Sequence, residues 1–171
     1  MLRLAKAFWD LGLWRITPAV LPASVFLLGQ VAAVVAAFEV FGALLPPYSA
    51  DRMFTRIALS VGLPVAWGWI VLAIAGRRQR FLQTASALLG VAALAQLLLY
   101  PLGSLLHVLG SDHPIAIPLG FLSFLGLIWY LLACAHIWRS ALDSSLSLGI
   151  AISLGYLLVS IGLEQYLLPD S

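Results

Sequence analysis

The sequence predicts an all-α membrane protein, a polytopic bundle of about five transmembrane helices with a short amino-terminal interfacial helix. Hydrophobic residues make up 63% of the 171 residues and charged residues only 9%, and the mean hydropathy is +1.05. Long apolar stretches fill almost the whole chain, and nearly every charge lies in the short gaps between them. No soluble fold could bury so much apolar surface, whereas lipid does not penalise it.

The apolar stretches have the length and the pattern of membrane-spanning helices. A helix needs about 20 mostly apolar residues to cross the hydrocarbon core, whereas strands of a membrane barrel would be about 10 residues long with alternating polarity. We therefore expect spanning helices at residues 22–45, 57–76, 82–109, 115–138 and 145–167. Residues 18–171 form a single transmembrane domain in this interpretation, and residues 1–17 form a separate amphipathic segment.

The amino-terminal segment, residues 1–17, has the pattern of a helix lying in the membrane interface. At about 100° per residue its polar and apolar side chains separate onto two faces. The polar face carries Arg3, Lys6 and Asp10, and the apolar face carries Leu4, Phe8 and Leu11. Asp10 and Arg15 interrupt the apolar run, so we do not interpret the segment as a cleaved secretory signal. A frayed cytoplasmic tail is the alternative.

Basic residues are distributed unevenly between alternate gaps. The amino-terminal tail, the second gap and the fourth gap hold seven of them: Arg3, Lys6, Arg15, Arg77, Arg78, Arg80 and Arg139. The other gaps hold only Arg52 and Arg56. The positive-inside rule then predicts a cytoplasmic amino terminus and an external carboxyl terminus. Basic residues at membrane edges interact with lipid headgroups, and we expect no nucleic-acid partner.

Small and weakly polar residues recur at helical spacing, which is typical of faces where helices meet in lipid. In the first span we expect Gly29, Ala33 and Ala37 to form such a face, with Gly90 in the third span and Gly126 in the fourth. In the fifth span the stripe contains Gly149, Ser153, Tyr156 and Ser160. These residues are the predicted helix-packing positions. They also predict association with a second copy of the chain or with other membrane proteins.

Ionisable residues inside spans are costly and usually face protein or water, so each is a candidate site. Glu39, His107 and Glu164 all lie near the predicted outer ends of their helices and could form an outer polar cluster. Snorkelling to the interface, or one interhelical hydrogen bond each, is the alternative. The sequence contains no nucleotide loop, paired-His metal motif or haem-attachment pair, and Cys134 is its single cysteine. We therefore predict no catalytic residue, no cofactor and no metal site.

The stretch from Phe81 to Leu168 is similar to the membrane region of the Yip (Ypt-interacting protein) domain family. The similarity lies in the segments FLQTASALLG, IPLGFLSFLGLIWYLLACAHIWRSAL and SLSLGIAISLGYLLVS. The resemblance implies five helices, a cytoplasmic amino terminus and an external carboxyl terminus. Eukaryotic members resemble adaptors that contact small GTPases through a long soluble amino-terminal region. This chain has no such region in its sequence, so we expect a compact bacterial-type member without that role, located in a bacterial cytoplasmic (inner) membrane.

The predicted packing faces and the lack of catalytic or cofactor-binding motifs favour a non-enzymatic scaffold, adaptor or assembly factor that acts through helix packing. A small transporter or proton-coupled carrier that uses the outer polar cluster is the first alternative. A membrane enzyme with an outward-facing site is the second. A carrier would need the polar residues to meet in one cavity.

Overall fold

The structure is a computed structural model that describes residues 2–42, 50–110 and 113–168. Within these ranges the chain is helical and contains no strand. The helices are α1 (Leu2–Gly12), α2 (Val25–Gly42), α3 (Ala50–Ile57), α4 (Leu63–Ile74), α5 (Phe81–Leu109), α6 (Ala116–Leu142) and α7 (Leu146–Leu167). A π-helical turn, Ala58–Gly62, joins α3 and α4 without a break in the helix. The predicted all-α bundle is therefore confirmed.

Five helices are long and apolar enough to cross a membrane: Val25–Gly42, Arg52–Ile74, Arg78–Leu109, Ala116–Leu142 and Leu146–Leu167. Each overlaps one predicted span. The second begins before its predicted start at residue 57, because the polar turn from Arg52 to Arg56 continues the same helix. The predicted end of the first span, at Leu45, lies outside the described residues.

The amino-terminal half of α5 lies at the centre of the bundle. Every residue from Thr84 to Val91 is buried, and α5 contacts α1, α2, α4 and α6. Small side chains such as Ala85, Ser86 and Ala87 explain this position, because they allow neighbouring helices to approach closely. α7 packs mainly on α6, and α4 on α5.

One end of the bundle, here called the arginine end, is closed by ion pairs between Arg77, Arg80 and Asp143. Asp143 terminates α6 in a left-handed conformation with φ 48°. Its carboxylate pairs with Arg77 and, at 3.0 Å, with Arg80. Arg80 Nη1 also donates to the carbonyls of Ser140 and Ala141, both at 3.1 Å. Hydrogen bonds from Arg80 and Arg77 hold the pKa of the Asp143 carboxyl below its ordinary value.

The amphipathic α1 packs along the side of the bundle. Phe8 and Leu11 are buried, whereas Lys6 and Trp9 are exposed. Trp129 Nε1 on α6 donates to the carbonyl of Gly12 at 3.0 Å. The predicted apolar face of this segment therefore contacts protein. Its location in the membrane interface stays a prediction, and the side chain of Arg3 lies outside the described part of the chain.

The face that α2 turns to the bundle differs from the predicted one. Leu27, Val31, Val35 and Glu39 are buried, whereas Gly29, Ala33 and Ala37 are exposed. A Cβ added at Gly29 would meet no atom within 4 Å. The two sets are offset by two residues, about 200° around a helix, and so lie on opposite sides. The buried face is the one that carries Glu39, whose carboxylate needs a polar partner inside the bundle.

The other predicted packing glycines lie at contacts between elements. An added Cβ at Gly90 would collide with the ring of Phe8, and one at Gly126 would lie 2.5 Å from Leu99 Cδ2. At Gly149 it would collide with the backbone carbonyl of Ala135, so this glycine permits close approach of α6 and α7. Ser153, one turn further along α7, is 2% exposed and its hydroxyl donates to the Gly149 carbonyl at 2.9 Å.

Candidate functional site

A cavity of about 350 Å³ opens among the spanning helices towards the end of the bundle opposite the arginine end. We call it the distal cavity. Residues from all five spans line it. Its polar and ionisable lining consists of Glu39, Arg56, Ser60, Gln96, Tyr100, Tyr130, Tyr156, Ser160 and Glu164. The remaining wall is apolar and includes Leu59, Ala95, Leu99, Leu127 and Leu157.

Glu39 is the most deeply buried carboxylate of the cavity. It occupies the last turn of α2, on the same face as Val31 and Val35, and is 8% exposed. Gln96 Nε2 on α5 donates to its Oε1 at 2.8 Å. Tyr100, one turn further along α5, and Ser60 on the π turn interact electrostatically with this carboxylate, and the Arg56 guanidinium attracts it. The hydrogen bond from Gln96 and these interactions partly offset the cost of burying the carboxylate.

The second carboxylate, Glu164, approaches Arg56. The Arg56 guanidinium Nη2 lies 3.7 Å from Glu164 Oε1, and the pair joins the end of α3 to the last turns of α7. The Glu164 side chain is 45% exposed and the Arg56 side chain 25% exposed, so the pair lies at the mouth of the cavity. Because Glu39 is buried and Glu164 is half exposed, the two carboxylates occupy different environments in one cavity.

The π-helical turn brings polar groups to the cavity wall. Leu59 and Ser60 of this turn line the cavity, and so does Pro64, which follows it. A proline has no N–H to donate, so the helical ladder is already interrupted at this point. π-helical turns inside α-helices occur frequently at functional sites. The second span is thus locally irregular where it borders the cavity.

Aromatic contacts hold two of the cavity tyrosines. Tyr100 meets Phe38 edge-on with 6.4 Å between ring centroids, and Tyr156 meets Trp67 in the same way at 6.3 Å. The absence of a side chain at Gly42 leaves room for the Tyr100 ring, whose Cε2 would lie 3.2 Å from an added Cβ. These contacts restrict the rings, so part of the cavity wall is formed in advance.

A smaller cavity of about 20 Å³ lies next to the distal cavity, on the side towards the arginine end. The two cavities share Pro64, Tyr130 and Tyr156. The volume is sufficient for about one water molecule. Trp67 lines it, and its indole Nε1 is buried without a hydrogen-bond partner in the described part of the chain. Trp138, 1% exposed, closes the cavity on the far side.

The structure brings together Glu39 and Glu164 from the predicted outer cluster, and it adds Tyr156 and Ser160 from the predicted packing stripe. His107 is not part of this group. It is exposed, seven residues beyond Tyr100, which places it about 10 Å further along α5 and past the cavity. No group of three or more His, Cys, Asp or Glu side chains able to hold a metal ion occurs in ranges 2–42, 50–110 and 113–168.

Several cavity residues were not predicted as site residues: Arg56, Ser60, Gln96 and Tyr100. Gln96 and Tyr100 are one helical turn apart and so share a face of α5, which is a signal that the sequence contained. In the sequence, Arg56 was counted only among the basic residues that predict the orientation in the membrane. Its role at the cavity depends on the unbroken helix through Ala58–Gly62, which apolar periodicity does not reveal.

No protein-family model, curated protein or solved structure matches the chain. The fold and the site define the class of protein directly. It is a multi-pass helical membrane protein with five helices able to span the bilayer and an ionisable cavity among them.

Proposed function

We propose that the protein is a small membrane carrier that binds a polar solute in the distal cavity. One observation carries the proposal: two carboxylates, a guanidinium and three tyrosines line a cavity of about 350 Å³ inside a bundle whose helices can cross a membrane. Ionisable side chains inside spans are costly, and where they line cavities they mark substrate or ion pathways. Packing alone would not require such a cavity.

The geometry along the bundle axis supports a carrier that opens on one side at a time. The distal cavity is open at its mouth, and Pro64, Tyr130 and Tyr156 form the wall that it shares with the smaller cavity, which Trp138 also lines. Beyond Trp138, Arg77 and Arg80 bind Asp143 across the arginine end. The irregular π turn and Pro64 lie at this shared wall, where a change in helix angle would open a path between the cavities. In the proposed transport cycle, this conformation of the bundle is the one that is closed at the arginine end.

The location and orientation of the carrier are part of the proposal. The basic residues favour an orientation with the arginine end inside and the distal cavity facing outward. The resemblance to the Yip domain family favours a bacterial cytoplasmic (inner) membrane. Kinship with the Yip domain family is proposed on the segments between Phe81 and Leu168, and the five-span arrangement supports it. The proposal assigns no cofactor and no nucleic-acid partner to the cavity.

Cysteine accessibility tests the cavity. In a Cys134→Ala background, which removes the single native thiol, a cysteine is introduced at Ser160. We expect a charged, membrane-impermeant maleimide to label it in whole cells, because water enters the cavity. Leu158→Cys is the matched control, since Leu158 lies on the same helix but is 70% exposed on the outer surface of the bundle. Lipid should shield that position.

Labelling from the cytoplasmic face of the membrane distinguishes a carrier from a cavity that opens only to the outside. In inside-out vesicles, slower but measurable labelling of the cysteine at 160 is expected if the arginine end opens. Arg80→Gln should accelerate it, because Arg80 binds both Asp143 and two carbonyls of α6. No labelling at residue 160 from either face would contradict the proposed function.

A scaffold or assembly factor is the second candidate, and the exposed face of α2 favours it. Gly29, Ala33 and Ala37 point away from the bundle at a spacing of four residues, which permits close approach of another helix in lipid. Ala33→Leu should then reduce self-association or co-purification with membrane partners, measured by crosslinking in native membranes. Val34→Leu, at an exposed neighbouring position outside the stripe, is the control. Equal crosslinking in both variants would argue against this candidate.

A further inference from the structure

We infer that the distal cavity binds a small organic cation that carries an ammonium group. This inference rests on the proposed function and narrows its substrate class. The charges on the wall are the first reason. Among the described lining residues, Glu39 and Glu164 are carboxylates and Arg56 is a guanidinium, so their formal charges leave one negative charge uncompensated. An unbalanced charge inside a bilayer is costly. A monovalent cation bound in the cavity would neutralise it.

The arrangement of these charges identifies Glu39 as the anchor for the ligand. Arg56 makes its ion pair with Glu164 at 3.7 Å, near the mouth. Glu39 is more deeply buried, accepts a hydrogen bond from the neutral amide of Gln96 and is attracted by the same guanidinium. One guanidinium thus faces two carboxylates in this cavity. The ammonium group of a ligand would supply a second positive charge beside Glu39.

The aromatic lining favours an organic cation over an anion. Tyr100, Tyr130 and Tyr156 contribute rings to the cavity. The negative face of an aromatic ring attracts an ammonium group within about 6 Å of its centroid, and aromatic cages with this chemistry recognise quaternary ammonium ligands. An anion would be repelled by the two carboxylates.

Size and donor geometry favour an organic cation over a metal ion. The cavity of about 350 Å³ falls in the range of roughly 300–1,000 Å³ that is typical of small-molecule sites. Ca²⁺ takes 6–8 oxygen ligands at short range. Glu39 and Glu164 are the acidic residues among the described lining, and only Glu39 is deeply buried. The wall is otherwise rich in apolar and aromatic surface, which suits carbon groups around a cationic nitrogen.

The test compares one cation with its uncharged and anionic analogues of the same shape. The purified protein is placed in nanodiscs of phosphatidylglycerol, which has no ammonium headgroup. Its thermal unfolding is measured with choline, with neutral 3,3-dimethylbutan-1-ol and with anionic 3,3-dimethylbutanoate at equal ionic strength. We expect saturable stabilisation by choline and none by the other two. Equal effects of all three probes, or preference for the anion, would overturn the assignment.

Charge variants supply the second arm of the test. Glu39→Gln should raise the apparent Kd for choline by roughly tenfold to a hundredfold, because it removes the buried carboxylate whose charge attracts the quaternary ammonium group. Glu164→Gln also makes the lining formally neutral and should weaken binding less. Arg56→Gln makes it more negative and should strengthen binding. A Kd that is independent of these changes would contradict the inference even if Glu39→Gln fails to fold.

Two controls distinguish failure of the ligand assignment from failure of the carrier proposal. Labelling of the cysteine at 160 measures whether the cavity admits water, so labelling without choline binding overturns the ligand class and leaves the carrier proposal standing. Nanodiscs that contain phosphatidylethanolamine test a lipid headgroup as the source of the ammonium group. If that lipid stabilises the protein and weakens choline binding, the site takes the headgroup. If choline binding is unaffected, the site takes a free solute.

Discussion

At the scale of single residues, backbone proximity decides which positions tolerate change. Gly149 faces the Ala135 carbonyl directly, whereas Gly162 on the same helix has no atom within 4 Å of an added Cβ. A backbone carbonyl cannot rotate away as a flexible side chain can. The two glycines lie on the same helix, yet only Gly149 occupies a position that leaves no room for a side chain.

We expect Gly149→Ala to destabilise the protein and Gly162→Ala to leave its stability almost unchanged. The Cβ at residue 149 forces α6 and α7 apart, and overpacking of this kind costs about 1–3 kcal/mol. Thermal unfolding in mild detergent, followed by size-exclusion chromatography with fluorescence detection, measures the difference. Equal midpoints for the two variants would show that α6 and α7 do not approach each other at Gly149.

A second prediction at this scale concerns acid stability at the arginine end. Arg80 and Arg77 lower the pKa of the Asp143 carboxyl. An acid with a lowered folded-state pKa stabilises the fold above its unfolded-state pKa of about 3.9, and that contribution disappears as the pH falls through the folded-state value. The contribution is small because the pair is exposed to solvent.

Asp143→Asn should therefore reduce stability slightly at neutral pH and should remove the corresponding loss below about pH 4. Asparagine tolerates the left-handed backbone at this position, so the helix end is retained. Arg78→Gln is the control, because Arg78 lies over the Trp69 ring at 5.5 Å and makes no ion pair with Asp143. An acid profile that is the same in wild type and Asp143→Asn would exclude the predicted linkage.

At the scale of elements, α1 illustrates how an amphipathic helix acquires a protein-facing side. It is too short to span the bilayer, yet Phe8 fills the space over Gly90 and Leu11 is fully buried. Trp129 adds a hydrogen bond to the end of the helix. These contacts connect α1 to α5 and α6, the two longest helices of the described chain.

We expect Phe8→Ala to weaken the bundle by up to about 3 kcal/mol, since loss of a buried aromatic ring costs 3–5 kcal/mol in aqueous cores and lipid can partly fill the space. Trp9→Ala is the matched control because Trp9 is adjacent and 47% exposed. Limited proteolysis at Leu13–Thr17 together with thermal unfolding measures release of α1. Similar proteolysis rates in both variants would mean that Phe8 does not hold the helix.

At the scale of the whole molecule, the two ends of the bundle have different chemistry. The arginine end is closed by ion pairs and by Trp138, whereas the distal end opens into the cavity that Glu39 lines. This asymmetry matches the uneven distribution of basic residues. Orientation in the membrane therefore decides which compartment the cavity faces.

Reporter fusions test the orientation. Fusions after Arg78 should be active in the cytoplasm, and fusions after His113 and after Leu168 should be active outside, because basic residues are retained on the cytoplasmic side. Three spans separate residue 78 from residue 168, so the two residues must lie on opposite sides of the membrane. Fusions after Arg78 and Leu168 that report the same side would contradict the five-span topology.

The sequence by itself determined the class of fold and the positions of the spans. Lipid requires each helix to be apolar over about 20 residues and to satisfy its own backbone hydrogen bonds, so local composition is sufficient to identify it. The same local signal marked Glu39 and Glu164 as unusual, because an ionisable residue in an apolar run is visible without a structure. It also marked Gly90, Gly126 and Gly149, which lie at contacts between elements.

Only the tertiary structure decided which residues meet. Small residues occur on both sides of α2, and the choice between the Gly29 face and the Glu39 face depends on Gln96, which belongs to a distant helix. The placement of Arg56 depends on the π turn that continues α3 into α4, and the separation of His107 depends on where the cavity ends along α5. In lipid the hydrophobic effect does not distinguish the faces of an apolar helix, so interhelical contacts make that choice.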